Sequence, residues 1–445
     1  MKKIGRRQFI KTSLSGLALA ALPRISFSQS NPDVVVIGAG ASGLAATAEL
    51  MKKGKSVVCI EAMSRIGGRC YTDNSIFGVP YDMGAHWLDG ADGSPFVKYA
   101  KKNEKFKIWP NSYDSDRVYD GMSQTSGDLW GITKIIDKIK DNTKKDVALL
   151  GQLSEKLKAR DWFDTAHLIS GPYGMARDFN NWSCYDDYHW KGPKGSGFCK
   201  QGYGALVADY RKDVPVKLKT VAKEIIWDKK GVKVVTNDGT ISAKVCIVTV
   251  STGVLNARKI KFTPDLPAYK YEAFAGITMG TYNHITFLFD KKYLFKLGIK
   301  YPDTYIYTKI QSNGAPSPKG GCGLFNITGS GLCYWDTGGN FSEELEAEGS
   351  KAQIDFFLNV MKKTFGSEIS KHVIKAHATR WGKNPFTLGS YAGAIPGKAK
   401  KRTSLRRSIG KRIFFAGEAC SKAHATVYGA NDSGTRVGKK VAKKV

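Results

Sequence analysis

The chain lacks any apolar run of the roughly 18–20 residues that a helical bilayer crossing needs. The best candidate, Leu14 to Leu22, is too short and follows a basic stretch, so it reads as the apolar core of a signal peptide. None of the eight cysteines stands in a Cys-x-x-Cys pair, and no metal-ligand spacing occurs, so neither a zinc ribbon nor a dithiol motif organises the fold. Cys59 and Cys246 lie in apolar, strand-like runs and read as buried thiols. Cys322 and Cys333 flank a glycine-rich turn and could pair in an oxidising compartment. Acid is scarce as well: 39 Asp and Glu face 69 Lys and Arg, a formal net charge of +30. No internal repeat and no nucleic-acid motif accompanies that excess. The charge therefore points to an anionic surface or an acidic redox partner, with no nucleic acid.

What is present begins with "GRRQFIKTSLSGLALAAL". Arg6-Arg7-Gln8-Phe9-Ile10-Lys11 is similar to the twin-arginine signal of bacterial export. Ser26-Phe27-Ser28 offers a small-x-small cleavage pattern, giving a signal peptide over residues 1–28 and a mature chain from about Gln29. The removed segment carries six Lys and Arg and no acid, so the mature charge is 30 − 6 = +24. This export route carries folded proteins loaded with cofactor, so the tag implies a periplasmic protein with a tightly held cofactor.

A chain of 445 residues is long enough for two or three packed units. Asp33–Ile37 reads as a buried parallel strand, Ser42–Lys53 as a helix ended by Gly54, and Ser56–Ile60 as a second strand. From Phe96 to Tyr188 the pattern is helical, polar and lysine-rich. Residues 222–249 read as a meander with a hairpin turn at Asn237-Asp238-Gly239. Alternation over 278–335 predicts an antiparallel sheet, and Phe341–Phe365 a single long helix. "RIFFAG" then returns to the style of the first strands, before a helix from about Val427.

"VVVIGAGASGLAA" places Gly38, Gly40, Ala41, Ser42 and Gly43 between a strand and a helix. Glycines there permit a tight turn and close approach of a pyrophosphate to the positive helix end. Glu61, followed by Ala62, closes the second strand, where an acid can accept ribose hydroxyls. A dinucleotide site follows, with NAD and FAD both open.

Four further stretches carry a resemblance: "EAMSRIGGRCYT", "YDMGAHWLDG", "RWGKNPFTLGSY" and "FFAGEACSKAHATVYGANDSG". In this order they resemble the motifs of the flavin-containing amine oxidases, and Trp87, Gly90 and Pro95 are especially similar to the polyamine oxidases. The resemblance covers nearly all of the mature chain. It implies an α/β plus α+β fold: a Rossmann-like FAD-binding domain interleaved with a substrate domain of antiparallel sheet and helices. The expected division is residues 29–95, 201–262 and 375–445 for FAD and 96–200 and 263–374 for substrate, with a helical insertion. It also implies that Gly67, Gly68, Arg69, Gly84, Ala85, His86, Trp87, Val221, Gly417, Glu418, Thr426 and Val427 meet FAD. Ser390 stands where monoamine oxidases carry the cysteine that bonds the cofactor, so non-covalent FAD is expected.

The implied reaction takes a hydride equivalent from the carbon beside an amine nitrogen, and the imine then hydrolyses. Tyr391 and Trp381 are expected at the reacting end, with Thr426 replacing the second tyrosine of the monoamine-oxidase pair. His284 occupies the place of the family's usual lysine, where it would orient water, act as a base or serve only structurally. "NNWSCYDDYHWKG" reads as a loop whose Asp186, Asp187 and Trp190 either receive a cationic amine or merely anchor the loop. Residues 398–412 hold eight basic side chains and no acid, either a docking patch or a solvated loop. The expected partners are a small amine and an acceptor, either oxygen or a cytochrome or quinone, in a homodimer or monomer. The rival readings are an L-amino-acid oxidase, a desaturase or porphyrinogen-type oxidase, and a non-catalytic flavoprotein.

Overall fold

Val34–Ile37 is an all-apolar strand, and the structure buries it on both faces at the centre of a five-stranded sheet. The computed structural model describes residues 31–90, 93–110, 116–312 and 315–445. The expected signal peptide, with Arg6, Arg7 and the cleavage site, lies outside the described residues. Pro32–Val445 forms one compact unit.

The central sheet is parallel throughout, in the spatial order Val216–Lys217, Val57–Ile60, Val34–Ile37, Val245–Val248, Ile413–Phe415. Alternate residues of the strands serve two cores. Val34, Val36, Cys59 and Ile247 face the helices Ala41–Lys52 and Val427–Ala442, while Val35, Ile37, Cys246 and Val248 face the four-stranded sheet of residues 222–243 and 261–263. The two helices touch through glycine: a Cβ on Gly434 would lie 2.0 Å from the Ser42 carbonyl oxygen, and one on Gly438 2.9 Å from that of Ala46.

A second, seven-stranded sheet runs Val373–Ala378, Tyr282–Phe289, Leu332–Gly338, Cys322–Phe325, Thr304–Thr308, Arg117–Asp120, Ser123–Gln124. Its first four strands are antiparallel neighbours, and their register sets His284 directly opposite Asp336.

Several expectations need correction. Val245–Val248 does not extend the meander; buried on both faces, it pairs in parallel with Val34–Ile37. Phe341–Phe365 is two helices, Gly339–Glu348 and Ser350–Phe365, because Gly349 takes φ +103° between them. The lysine-rich stretch after Phe96 is not wholly helical: Arg117–Asp120 joins the large sheet, parallel to Thr304–Thr308. Cys322 and Cys333 do not pair. Cys322 lies opposite Asp336 and Cys333 opposite Phe325, and the two thiols serve cores on opposite faces of the sheet.

Candidate active site

The turn after Val34–Ile37 is closed by geometry that only glycine meets. Gly38 has φ +100°, and a Cβ on Gly43 would sit 1.8 Å from the Gly38 carbonyl oxygen. The following helix, Ala41–Lys52, starts at Gly40 with no side-chain cap and no acid in its first turn. Its leading N–H groups are therefore left for an anion. The buried Ser42 hydroxyl has no hydrogen-bond partner among the described residues. Gly67 and Gly68, both at positive φ, bring a second backbone turn against the first through a Gly40–Gly67 bridge. At the end of Val57–Ile60 the Glu61 carboxylate accepts from the Ala39 N–H (2.7 Å) and the Met63 N–H (2.9 Å). Burial pushes its pKa up against those bonds.

These groups line one end of a cavity of about 700 Å³. Thr220, Val221 and Ala222 flank that end, and the cavity runs past Arg69 to Glu418, Thr426 and Val427. Arg69 donates to Glu418 Oε1 (2.9 Å) and to the Ser390 carbonyl (2.6 Å). Glu418 also accepts from the N–H groups of Ala392 (3.2 Å) and Ala425 (3.0 Å). Thr426 caps the helix Val427–Ala442 by accepting from Gly429 N–H at 2.8 Å. An uncapped helix, an unpartnered hydroxyl, close-approach glycines and a long cavity fit FAD. All the expected cofactor residues but one line this cavity: Gly38, Gly40, Ala41, Ser42, Glu61, Ala62, Gly67, Gly68, Arg69, Gly84, Ala85, His86, Trp87, Val221, Gly417, Glu418, Thr426 and Val427. Gly43 is not in the lining; it packs behind the turn.

At the far end the walls are aromatic. Tyr391, Tyr282, Tyr173, Trp87 and Trp381 all line the cavity. Tyr391 has a ring neighbour after all: Tyr282, at 5.9 Å between centroids, rather than a residue at position 426. Trp381 donates its indole N–H to the Met83 carbonyl (2.9 Å), which fixes the ring as a wall. A Cβ on Gly84 would meet the Arg69 carbonyl oxygen at 2.0 Å and the Trp381 ring at 3.1 Å, so the backbone there lies flush with both.

His284 is buried, and both its nitrogens are used. Nε2 lies 2.7 Å from the Gly84 carbonyl, which can only accept, and Nδ1 makes a short hydrogen bond to Asp336 Oδ1. Burial opposes charge on this ring, but Asp336, the Gly84 carbonyl and Asp82 together outweigh it and raise the pKa. Both nitrogens thus face oxygen partners, and neither is free for water or for a substrate proton. The readings as a base or water-holder are corrected accordingly.

The paired aspartates part company. Residues Cys184–Tyr188 form a short helix, not a loop, and send consecutive acids in different directions. Asp186 is buried against Arg402, which donates from Nε to Oδ1 at 2.9 Å and from a second nitrogen to Oδ2. Burial opposes ionisation, but His424, Arg402 and the Ala394 N–H together hold the Asp186 pKa at about 2. It does not line the cavity, so its substrate role is withdrawn. Asp187 and Trp190 do line it. Burial lifts the Asp187 pKa to about 6, against the pull of Lys140.

Sequence reasoning missed Asp89, a cavity-lining acid lifted to about 6 by burial alone. It stands inside the stretch "YDMGAHWLDG", where an acid beside a tryptophan was the available signal. Tyr173, Tyr282 and Asp336 carried no such signal. The basic run 398–412 is largely committed to structure: Arg402 holds Asp186, Arg406 donates to the Ser421 carbonyl (3.1 Å), and Lys401 pairs with Glu272.

Comparison with known proteins agrees with this geometry. The model of the flavin containing amine oxidoreductases matches residues 177–442, and that of an NAD(P)-binding Rossmann-like domain matches residues 36–102. The chain is 28% identical to polyamine oxidase 4 of Oryza sativa subsp. japonica, over 97% of this chain and 92% of the relative. It is 30% identical to a probable polyamine oxidase 4 of Arabidopsis thaliana, over 88% and 83% respectively. Among solved structures, a wild-type putrescine oxidase bound to putrescine superposes with a TM-score of 0.73 at 18% identity, covering 93% of this chain and 99% of that one. The cyclohexylamine oxidase of Brevibacterium oxydans IH-35A gives 0.74 at 19%, with the same coverage. At such identities these two superpositions establish the fold.

Proposed function

The chain belongs to the flavin-containing amine oxidoreductases and oxidises amines with non-covalent FAD, and we propose that its substrate is a polyamine-like amine carrying more than one positive charge. The observation that carries this reading is the pair of half-buried acids, Asp89 and Asp187, in the wall of a cavity that aromatic rings line at one end. A carboxylate desolvated among rings gains most from a cationic partner, and the rings add cation–π attraction. The arginine in the lining, Arg69, is engaged by Glu418, which weighs against recognition of an amino-acid carboxylate. The names of the curated relatives support the same substrate class.

FAD, when bound, takes up the hydride equivalent released from the carbon next to nitrogen. The chain's own residues do the rest. The Gly38–Gly43 turn, Ser42 and Glu61 hold the nucleotide end; Arg69, Glu418 and the start of the helix Val427–Ala442 hold the other. Tyr391, Tyr282 and Trp381 exclude water and orient the reacting carbon. The acids keep the distal ammonium charged while the reacting nitrogen, among rings and near the His284 cation, is favoured neutral.

The direct experiment is an anaerobic titration of the holoenzyme with monoamines, diamines, longer polyamines and L-amino acids, following flavin bleaching. Bleaching by amino acids alone would overturn the substrate class. Asp89→Asn and Asp187→Asn should each raise KM for a diamine about tenfold, the loss of roughly 1.4 kcal/mol of binding, and leave a monoamine little changed. Because burial lifts both acids to about 6, diamine affinity should fall as pH drops below that value, where they become neutral. An unchanged KM in both variants would remove the acids from recognition.

Export through the Arg6-Arg7 signal to the periplasm, with oxygen or a cytochrome- or quinone-type acceptor there, completes the proposal. A reporter fused to the first 40 or so residues that stays in the cytoplasm would contradict the address. Rapid air reoxidation of the substrate-reduced enzyme would assign the acceptor to oxygen.

A further inference from the structure

The His284–Asp336 pair has a third member. His86 packs against His284 with ring centroids 4.8 Å apart, and its Nε2 lies 3.9 Å from Asp336 Oδ2. Both of those atoms are buried and have no hydrogen-bond partner among the described residues. His86 Nδ1 approaches the Gly84 carbonyl at 3.4 Å, the same oxygen that His284 Nε2 meets at 2.7 Å. The two imidazoles therefore span the same pair of acceptors, one tightly and one loosely. His284 and His86 line the cavity, whereas Asp336 lies behind them.

We propose that Asp336 is a positioning residue that fixes a single positive charge in the cavity wall, seated on His284 and transferable to His86 when His284 is removed. The fold enforces the arrangement, because His284 and Asp336 are cross-strand partners of one antiparallel pair. The imidazolium faces the cavity and its counter-charge sits behind, so the pair would present its positive end to FAD held there. His86 stays neutral: burial drives its pKa down to about 3, and the nearby charge on His284 adds to that. The other titratable groups around His284 are Tyr282 on its own strand, Tyr334 from the neighbouring strand, and Asp82, which is hydrogen-bonded to Thr72 and to the Tyr203 and Gly204 N–H groups. The phenols are pushed up by burial and stay neutral. Asp82 is lifted to about 6 by burial, and its charge favours the imidazolium.

The linkage has a definite sign. A histidine whose pKa is raised on folding adds stability that is complete below its unfolded value, about 6.5, and is lost as pH rises through the folded value. Asp336→Asn preserves shape and removes the counter-charge. In this variant the His284 ring should titrate near or below about 6.5, seen as the C–H resonance of that histidine in NMR spectra of the holoenzyme. In the native enzyme the same resonance should hold its charged position to higher pH. The midpoint potential of bound FAD should also fall at neutral pH in Asp336→Asn and recover as acid reprotonates the ring. In His284→Asn the His86 resonance should gain a titration that the native protein lacks. A His284 that titrates identically in native and Asp336→Asn proteins would overturn the proposal. So would a His86 that stays neutral in His284→Asn. These resonances report even if the amine-substrate assignment above proves wrong.

Discussion

Replacing Asp186 by alanine is expected to lower folding stability by about 3–5 kcal/mol, the usual cost of deleting one partner of a buried ion pair. The side chains of Asp186 and Arg402 are each only 7% exposed, and the change leaves the guanidinium without its carboxylate, holding only the bond to the Ala419 carbonyl. It also frees the Ala394 N–H, which Asp186 accepts at 2.9 Å. Urea denaturation of the FAD-loaded protein at neutral pH should show a large drop in midpoint with little change in slope. Asp187→Asn, one residue along, should stay within about 1 kcal/mol of the parent and show its effect in KM instead. Equal stability losses at both positions would sink the claim that the consecutive acids do separate jobs.

Gly43→Ala should yield a protein that cannot retain FAD. A Cβ there would stand 1.8 Å from the Gly38 carbonyl oxygen, a distance no rotamer relieves because the methyl group has none. The strand–helix turn must open, at an overpacking cost of about 1–3 kcal/mol, and the helix start moves away from the position it offers an anion. Because each 1.4 kcal/mol is a factor of about ten in affinity, the purified variant should be pale or colourless. The check is the ratio of flavin to protein absorbance after gel filtration. Gly151→Ala is the control, since a Cβ there meets nothing within 4 Å. A yellow Gly43→Ala with a normal ratio would mean the turn tolerates what its geometry forbids.

The legible parts of this protein were the local ones. A turn such as Gly38–Gly43 writes its requirement into adjacent letters, because backbone clash acts over a few residues. The strands Val34–Ile37 and Val57–Ile60 and the helix between them were readable for the same reason. What the letters could not show was partnership across distance. His284 could be singled out as unusual, yet its protonation is decided by Asp336, a partner chosen by strand register. Asp186 and Asp187 looked like one acidic feature, and a helical turn sent one to Arg402 and the other to the cavity wall. Gly349 was misjudged in the opposite direction: the apolar pattern on both sides is helical, and only its positive φ reveals the break. Asp89 was within a quoted motif but was not singled out, since burial, the source of its raised pKa, depends on the walls around it.

The contact between the helices Ala41–Lys52 and Val427–Ala442 has a consequence for biosynthesis. The two sides of the nucleotide's berth are made several hundred residues apart, so a nascent chain cannot close around FAD before Val427 and the residues after it have been made. Capture of the coenzyme thereby waits on that distant helix, and a chain interrupted before it is left with half a berth.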